Sequence, residues 1–125
     1  MDNFINKARR RGIKHIIIEP YDYDNYDTMA YGAVAEARFK NKWWGDTKFK
    51  ISHQEMMRCG DLDYVVARKA EVVRNVIIEA VKAAIRLRAL GFVVTWHGIE
   101  WDGKVCRTTD EVVSVVEKDK SLSKS

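Results

Sequence analysis

Two clusters of basic side chains, one of them beside a pair of tryptophans, are the residues of this sequence best suited to bind a ligand. The first cluster consists of Lys7, Arg9, Arg10, Arg11 and Lys14. The second consists of Arg38, Lys40, Lys42, Lys48 and Lys50, which flank Trp43 and Trp44. Cations beside an exposed indole suit single-stranded nucleic acid. Phosphates release counterions to the cations, and a base stacks on the ring, a contact of about 1–3 kcal/mol.

The alternation of residues in the second cluster predicts which side chains point the same way. If the segments 29–39 and 43–51 pair as strands, the solvent-facing side carries Arg38, Lys40, Lys48 and Lys50 together with Trp44. The predicted nucleic-acid surface consists of Arg9, Arg10, Arg11, Lys14, Arg38, Lys40, Lys42, Trp44, Lys48 and Lys50. A structural alternative is that both tryptophans anchor the hairpin to the core while the lysines protect a sheet edge from aggregation.

Carboxylates near the start of the longest predicted helix offer a second chemistry. Asp61 and Asp63, with Glu100 or Asp102 from a later hairpin, could hold Mg²⁺ for phosphodiester hydrolysis. Helix capping is the alternative, since carboxylates favour a helix N-terminus.

Two further groups have the residue types of metal ligands but not the spacing. Three carboxylates in the YDYDNYD segment, Asp22, Asp24 and Asp27, could hold a hard cation or simply balance nearby arginines. A zinc site would need His53, Cys59, His97 and Cys106, which form no paired knuckle. We predict no metal and no cofactor.

Motifs of the common enzyme classes are absent from the sequence. It has no phosphate-cradling loop, nucleophile elbow, CxxC pair or dinucleotide fingerprint. The leading hypothesis is therefore a non-enzymatic nucleic-acid-binding domain, with single strands favoured over duplex and a homodimer possible. The alternative is a small inhibitor or adaptor, of the kind that phages and mobile elements encode, which binds a protein partner stoichiometrically. A magnesium-dependent nuclease ranks third, so the question of enzymatic activity stays open.

Length and composition indicate one soluble domain. The chain has 125 residues, 46% of them hydrophobic, and a formal net charge of +4. This length can bury a core without disulfides, and the charge is compatible with nucleic acid. Apolar runs such as Ile16–Ile18 are far shorter than the roughly 20 residues of a membrane helix. We predict a cytoplasmic protein with no signal peptide and no membrane partner.

Periodicity and capping patterns predict the elements that must position these side chains. The strongest signal is an amphipathic helix from Asp61 or Asp63 to about Leu90. A first helix is predicted to end near Arg11, a short one to cover 52–60 behind a Ser52–Glu55 capping box, and another to follow Thr108. Predicted strands cover 13–19, 29–39, 43–51, 92–96 and 104–107, with a loop at 21–27.

These elements predict an α+β fold. A single domain over 1–118 has an antiparallel sheet of about five strands with two hairpins. The long amphipathic helix and the short helices pack on one face of that sheet, which leaves the other face uncovered. Residues 119–125 are predicted to form a disordered polar tail.

Overall fold

The computed structural model describes residues 1–43, 45–58 and 60–123. They form the predicted α+β fold. Along the chain the elements are α1 (Asp2–Arg10), β1 (His15–Asn25), β2 (Ala30–Phe39), β3 (Thr47–Met57), α2 (Leu62–Ala89), β4 (Val93–Trp101), β5 (Lys104–Thr108) and α3 (Thr109–Ser123). The last helix continues to Ser123, into the segment predicted to be a tail, and residues 124 and 125 of that segment lie outside the described residues.

The sheet has the strand order β3-β2-β1-β4-β5. Neighbouring strands run antiparallel except β1 and β4, which are parallel from the His15–Val93 pair to the Ile18–Trp96 pair. Parallel neighbours need a long crossover, and β2, β3 and α2 supply it. The sheet is therefore mostly antiparallel, with one parallel pair at its centre.

One face of the sheet carries the core. Ile18 lies directly opposite Ala37, and Ala35 follows two positions along the same face. All three side chains are completely buried. The small alanines leave room for α2, whose buried stripe consists of Val72, Val76, Ile77, Ala80, Val81, Ala84 and Leu87. Residues of α1 and α3 belong to the same hydrophobic cluster, so the helices cover one face, as predicted.

The short helix predicted over 52–60 is wrong, because β3 continues through Met57. His53 pairs with Val34 and Glu55 with Gly32 across the antiparallel ladder with β2. The Ser52 hydroxyl does not cap a helix but donates to the Val76 carbonyl of α2 at 2.9 Å. The capping-box pattern is local, and pairing with β2 overrides it.

The loop predicted at 21–27 is also wrong, because β1 passes through Pro20 and continues to Asn25. Proline lacks the N–H that a strand needs on a paired edge. Here the parallel pairing with β4 stops at Ile18, so the edge of β1 that faces β4 has no ladder at Pro20. The proline therefore costs no hydrogen bond.

Three other local signals are confirmed. Asp61 caps α2 by accepting from the Tyr64 backbone N–H at 2.8 Å. Asp102 and Gly103 have positive φ values of 49° and 82°, as the predicted two-residue hairpin turn requires. The Thr108 hydroxyl accepts from the Glu111 N–H at 3.2 Å at the start of α3.

Candidate functional site

The two basic clusters of the sequence meet at one end of the sheet. The end of α1 lies beside the loop that joins β2 to β3. Arg11 links the two, since its Nη1 donates to Asn41 Oδ1 and to Thr47 Oγ1, the latter at 3.4 Å. Cations from residues about 30 positions apart in sequence thereby share one surface.

The β2–β3 loop is held in shape by Asn41. Its Nδ2 donates to the Gly45 carbonyl at 2.6 Å and to Thr47 Oγ1 at 2.8 Å. These bonds close the loop behind Trp43, whose side chain is 79% exposed. The ammonium group of Lys42 lies 5.5 Å from the centroid of the Trp43 ring. The loop therefore presents an indole to solvent beside a cation.

A shallow depression of about 560 Å³ surrounds this indole. It is lined by Arg11, Ile13, Lys40, Asn41, Lys42 and Trp43. A second depression on the outer side of α1 is lined by Asn3, Asn6, Lys7, Arg9 and Arg10. We call the combined surface the basic end; its cations and ring are Lys7, Arg9, Arg10, Arg11, Lys40, Lys42 and Trp43. Lys14, which precedes β1, is exposed but lines neither depression.

The cations of the basic end are mostly unneutralised. Within the described residues, Arg10, Lys40 and Lys42 have no carboxylate at ion-pair distance. The Arg9 guanidinium donates weakly to the Leu90 carbonyl at 3.4 Å, which is a neutral acceptor. An anion approaching this end therefore meets positive charge that has no internal counterion.

The hairpin strands carry the other predicted cations on the uncovered face of the sheet. Arg38 lies opposite Lys48, and Lys50 lies opposite Glu36. The Arg38 guanidinium is paired with Glu19 at 3.2 Å and with Asp46 at 3.1 Å. This part of the predicted surface is therefore mixed in charge, in contrast to the basic end.

Trp44, the indole that the alternation favoured, lies outside the described residues. The alternation favours Trp44 over Trp43 only if the strand begins at position 43, whereas β3 begins at Thr47. The signal for a loop was present: Asn41, Gly45 and Asp46 are all residues that favour turns.

Tyrosines and carboxylates occupy the middle of the uncovered face. Tyr23 Oη donates to Glu55 Oε2 at 2.6 Å and lies 2.6 Å from His53 Nε2. The hydrogen bond to Glu55, together with partial burial, raises the pKa of Tyr23. A bond to Glu36 raises the pKa of Tyr21 in the same way. These hydrogen bonds join neutral hydroxyls to carboxylates and supply no positive charge, so this part of the face offers little to an anionic ligand.

The candidate metal ligands are dispersed. Asp61 caps α2, while Asp24 pairs with Arg58 at 3.5 Å and Lys69 at 3.7 Å. Across residues 1–43, 45–58 and 60–123, no three His, Cys, Asp or Glu side chains lie close enough together to hold a metal ion. Cys106 is buried, and burial raises the pKa of its thiol. Cys59 lies outside the described residues.

Comparison with known proteins finds no matching family, no matching curated protein and no matching solved structure. None of the described helices has an apolar stretch sufficient to span a bilayer.

Proposed function

We propose that this chain is a non-enzymatic nucleic-acid-binding domain that takes single strands at its basic end. The observation that carries the proposal is the 79% exposed indole of Trp43, which lies among Arg11, Lys40 and Lys42. An exposed aromatic ring among cations is the arrangement on which the bases of a single strand stack while its phosphates meet the positive charges.

The basic end supplies both components of single-strand binding. Phosphates interact with Lys40, Lys42 and the cations of α1, and the release of their counterions drives association. A base stacks on Trp43, which is worth about 1–3 kcal/mol and tolerates any sequence because every base has a π-face. Duplex is the weaker ligand, since its bases are already stacked on one another.

The uncovered face of the sheet is a poorer platform. Its guanidinium, on Arg38, already has two carboxylate partners. Glu36 and Glu55 lie on the same face and repel phosphate. We therefore assign the predicted residues Lys48 and Lys50 a supporting role at most.

Fluorescence anisotropy with a labelled oligo(dT) tests this proposal. Trp43→Ala removes the stacking ring and should weaken binding by about 1–3 kcal/mol, a loss of roughly 5- to 150-fold. Trp43→Phe keeps a smaller ring and should retain part of that affinity. Trp43 is exposed, so neither substitution should alter folding.

Salt dependence tests the phosphate contacts separately. Lys42→Ala should lower the slope of log affinity against log salt by about 0.7, the value expected for one lost contact to a single strand. Lys82→Ala is the matched control, because Lys82 is an exposed lysine of α2 that pairs only with Glu79 among the described residues. No oligonucleotide binding at low salt, or full affinity in Trp43→Ala, would overturn the proposal.

An adaptor that binds a protein partner is the second candidate, and the opposite end of the sheet favours it. Tyr26, Met29, Met57, Leu62 and Tyr64 are all exposed there. The Arg58 N–H donates to the Met29 carbonyl at 2.7 Å, and the Arg58 guanidinium lies over Tyr26, so part of this group is contiguous. In this alternative, Leu62→Asp abolishes binding to a purified partner and leaves any oligonucleotide affinity unchanged.

A further inference from the structure

The two edges of the sheet end differently. β5, at one edge, has five residues, and α3, which follows it directly, packs against it. β3, at the other edge, has eleven residues, and within the described part of the chain no strand pairs with its outer side. An edge strand presents a row of free N–H and C=O groups, with which a strand of another chain can pair.

The hydrophobic core is incompletely covered along β3. No residue of this strand is buried, although Phe49 lies opposite Ala37 and Met56 opposite Tyr31, both of which are buried. Phe49, Ile51 and Met56 contact the core cluster and are only half-buried. A strand laid along β3 would remove part of their remaining apolar surface from water, which favours association.

The uncovered face of β3 carries cations near one end and a carboxylate near the other. Lys48, Lys50 and Glu55 are all exposed. They lie opposite three members of one face of β2, namely Arg38, Glu36 and Gly32. The Glu55 carboxylate accepts from the neutral Tyr23 hydroxyl at 2.6 Å. Among the residues that the structure describes, none of these three charges has an ion-pair partner.

An irregularity in β3 brings these charges to the same face. Lys50 and Ser52 pair with consecutive residues of β2, so Ile51 is an extra residue between them. In a regular strand Lys48 and Glu55, seven positions apart, would point to opposite faces. The extra residue shifts the alternation by one, and β-bulges commonly redirect side chains in this way.

The resulting charge pattern is complementary to itself in one orientation. When a second β3 runs antiparallel and is centred near Ser52, Lys48 and Lys50 of each copy meet Glu55 of the other. A parallel, in-register partner would instead place lysines beside lysines, and like charges at facing positions are destabilising. Lysines on an edge strand discourage indiscriminate pairing, and here the carboxylate at the far end permits the antiparallel arrangement.

We propose that two copies of this chain associate through β3, which pairs antiparallel with β3 of the second copy across a two-fold axis. The two five-stranded sheets then form one continuous sheet, and the half-buried side chains Phe49, Ile51 and Met56 are covered further. The β2–β3 loop precedes Thr47 and lies beyond the paired segment, so the basic end of each copy stays exposed. This interface does not depend on nucleic-acid binding.

Sedimentation equilibrium of nucleic-acid-free protein, loaded from about 1 μM to 1 mM, tests the proposal. The mass should rise to twice that of the chain. Each charge contact occurs twice in a two-fold dimer, so one substitution changes two contacts. Glu55→Lys places lysines against lysines, and Lys48→Glu/Lys50→Glu places carboxylates against Glu55. Each variant should dimerise about tenfold more weakly or worse.

An equimolar mixture of these two variants is the sharper test. In the mixed dimer every facing charge pair is again of opposite sign, so the mixture should associate about as tightly as the unsubstituted protein. The triple variant Lys48→Glu/Lys50→Glu/Glu55→Lys should dimerise for the same reason. Lys104→Glu, at an exposed lysine of β5, is the matched control and should change nothing. Far-UV circular dichroism verifies that each variant is folded.

Three results would overturn the proposal: a monomer at every concentration, full dimer affinity in Glu55→Lys, or a mixture that associates no more tightly than either variant alone. Trp43→Ala, which removes the stacking ring of the basic end, should dimerise normally. Its dimerisation and its oligo(dT) affinity are measured separately, so failure of the interface and failure of the proposed nucleic-acid site are distinguishable.

Discussion

Two tryptophans of this protein each have a cation over the ring, and they differ in almost every other respect. The Lys42 ammonium lies 5.5 Å from the Trp43 centroid, and the Arg74 guanidinium lies 4.9 Å from that of Trp101. Trp43 is 79% exposed and Trp101 is 4% exposed. Arg74 is neutralised by Asp102, whereas Lys42 has no carboxylate partner within the described residues.

The difference shows that a cation over an aromatic ring does not by itself define a function. At the basic end, both ring and charge remain available to a ligand. At Trp101, the Arg74 guanidinium covers the indole and is already paired with Asp102. The exposure of the ring and the presence of a counterion beside the cation therefore distinguish the Trp43 pair from the Trp101 pair.

The largest expected effect is on folding stability. Trp101→Ala removes a buried ring from the core and should lower the free energy of unfolding by about 3–5 kcal/mol. Trp43→Ala should change it by less than about 0.5 kcal/mol, because surface positions contribute little. Urea denaturation followed by circular dichroism measures both. Equal destabilisation by the two substitutions would contradict the contrast drawn between them.

A second prediction concerns Tyr31, a third aromatic ring with a cation beside it. The ring is buried, and Lys69 Nζ lies 4.7 Å from its centroid. Burial raises the pKa of Tyr31, and its hydrogen bond to Asp22 raises it further. Above pH about 10 the unfolded chain loses this proton while the folded chain keeps it. Stability should therefore fall with rising pH, by at most about 1.4 kcal/mol per pH unit for this group.

Tyr31→Phe removes that contribution and should flatten the decline of stability above pH about 10. Urea denaturation at a series of alkaline pH values gives the slope. Part of the decline should persist, because Tyr21 and Tyr23 also have raised pKa values. A slope identical to that of the unsubstituted protein would show that Tyr31 ionises equally in both states.

The smallest expected effect separates the two cations. Arg74→Ala loses a contact with a buried ring and a half-exposed ion pair, and should destabilise the fold by about 1 kcal/mol. Lys42→Ala should leave stability unchanged and alter only the response of oligonucleotide binding to salt. Thermal unfolding at low and high salt measures the first effect. If Lys42→Ala proved the more destabilising, the Trp43 pair would be structural.

Local signals were sufficient to predict much of the fold. The apolar stripe of α2, the Asp61 cap and the Asp102–Gly103 turn each depend on residues close in sequence. They were correct because no tertiary contact competes with them. The Ser52–Glu55 pattern failed because Glu55 has a stronger alternative, a hydrogen bond from Tyr23 across the sheet.

Features that depend on strand pairing between distant residues could not be predicted. The second half of β1 has the sequence of a loop, because Asp22 and Asp24 are exposed carboxylates where an alternating strand would have apolar residues. The parallel pairing of β1 with β4 leaves no local pattern. No motif in the sequence marks the end of this pairing after Ile18 and Trp96 either.

The residue types of the candidate site can be read from the sequence, whereas their arrangement in space cannot. That two basic clusters flank tryptophans is plain from the sequence. That Arg11 reaches the β2–β3 loop depends on its hydrogen bond to Asn41, about 30 residues away. The expectation for Trp44 assumed a strand that begins at position 43, whereas β3 begins at Thr47, and strand ends are the least reliable part of any such pattern.

Gly32 has a consequence for how β1 and β2 find their alignment. A Cβ at this position would lie 2.4 Å from the Tyr23 ring, so the ring crosses the strand only because no side chain is there. A slip of two residues would keep every side chain on its own face, and hydrophobic patterning alone would tolerate it. Such a slip would place Tyr23 opposite Ala30 or Val34. Each of these residues has a Cβ that would block the path of the tyrosine ring to Glu55. The absence of a side chain at Gly32 therefore favours the observed register of β1 and β2 over a slip of two residues.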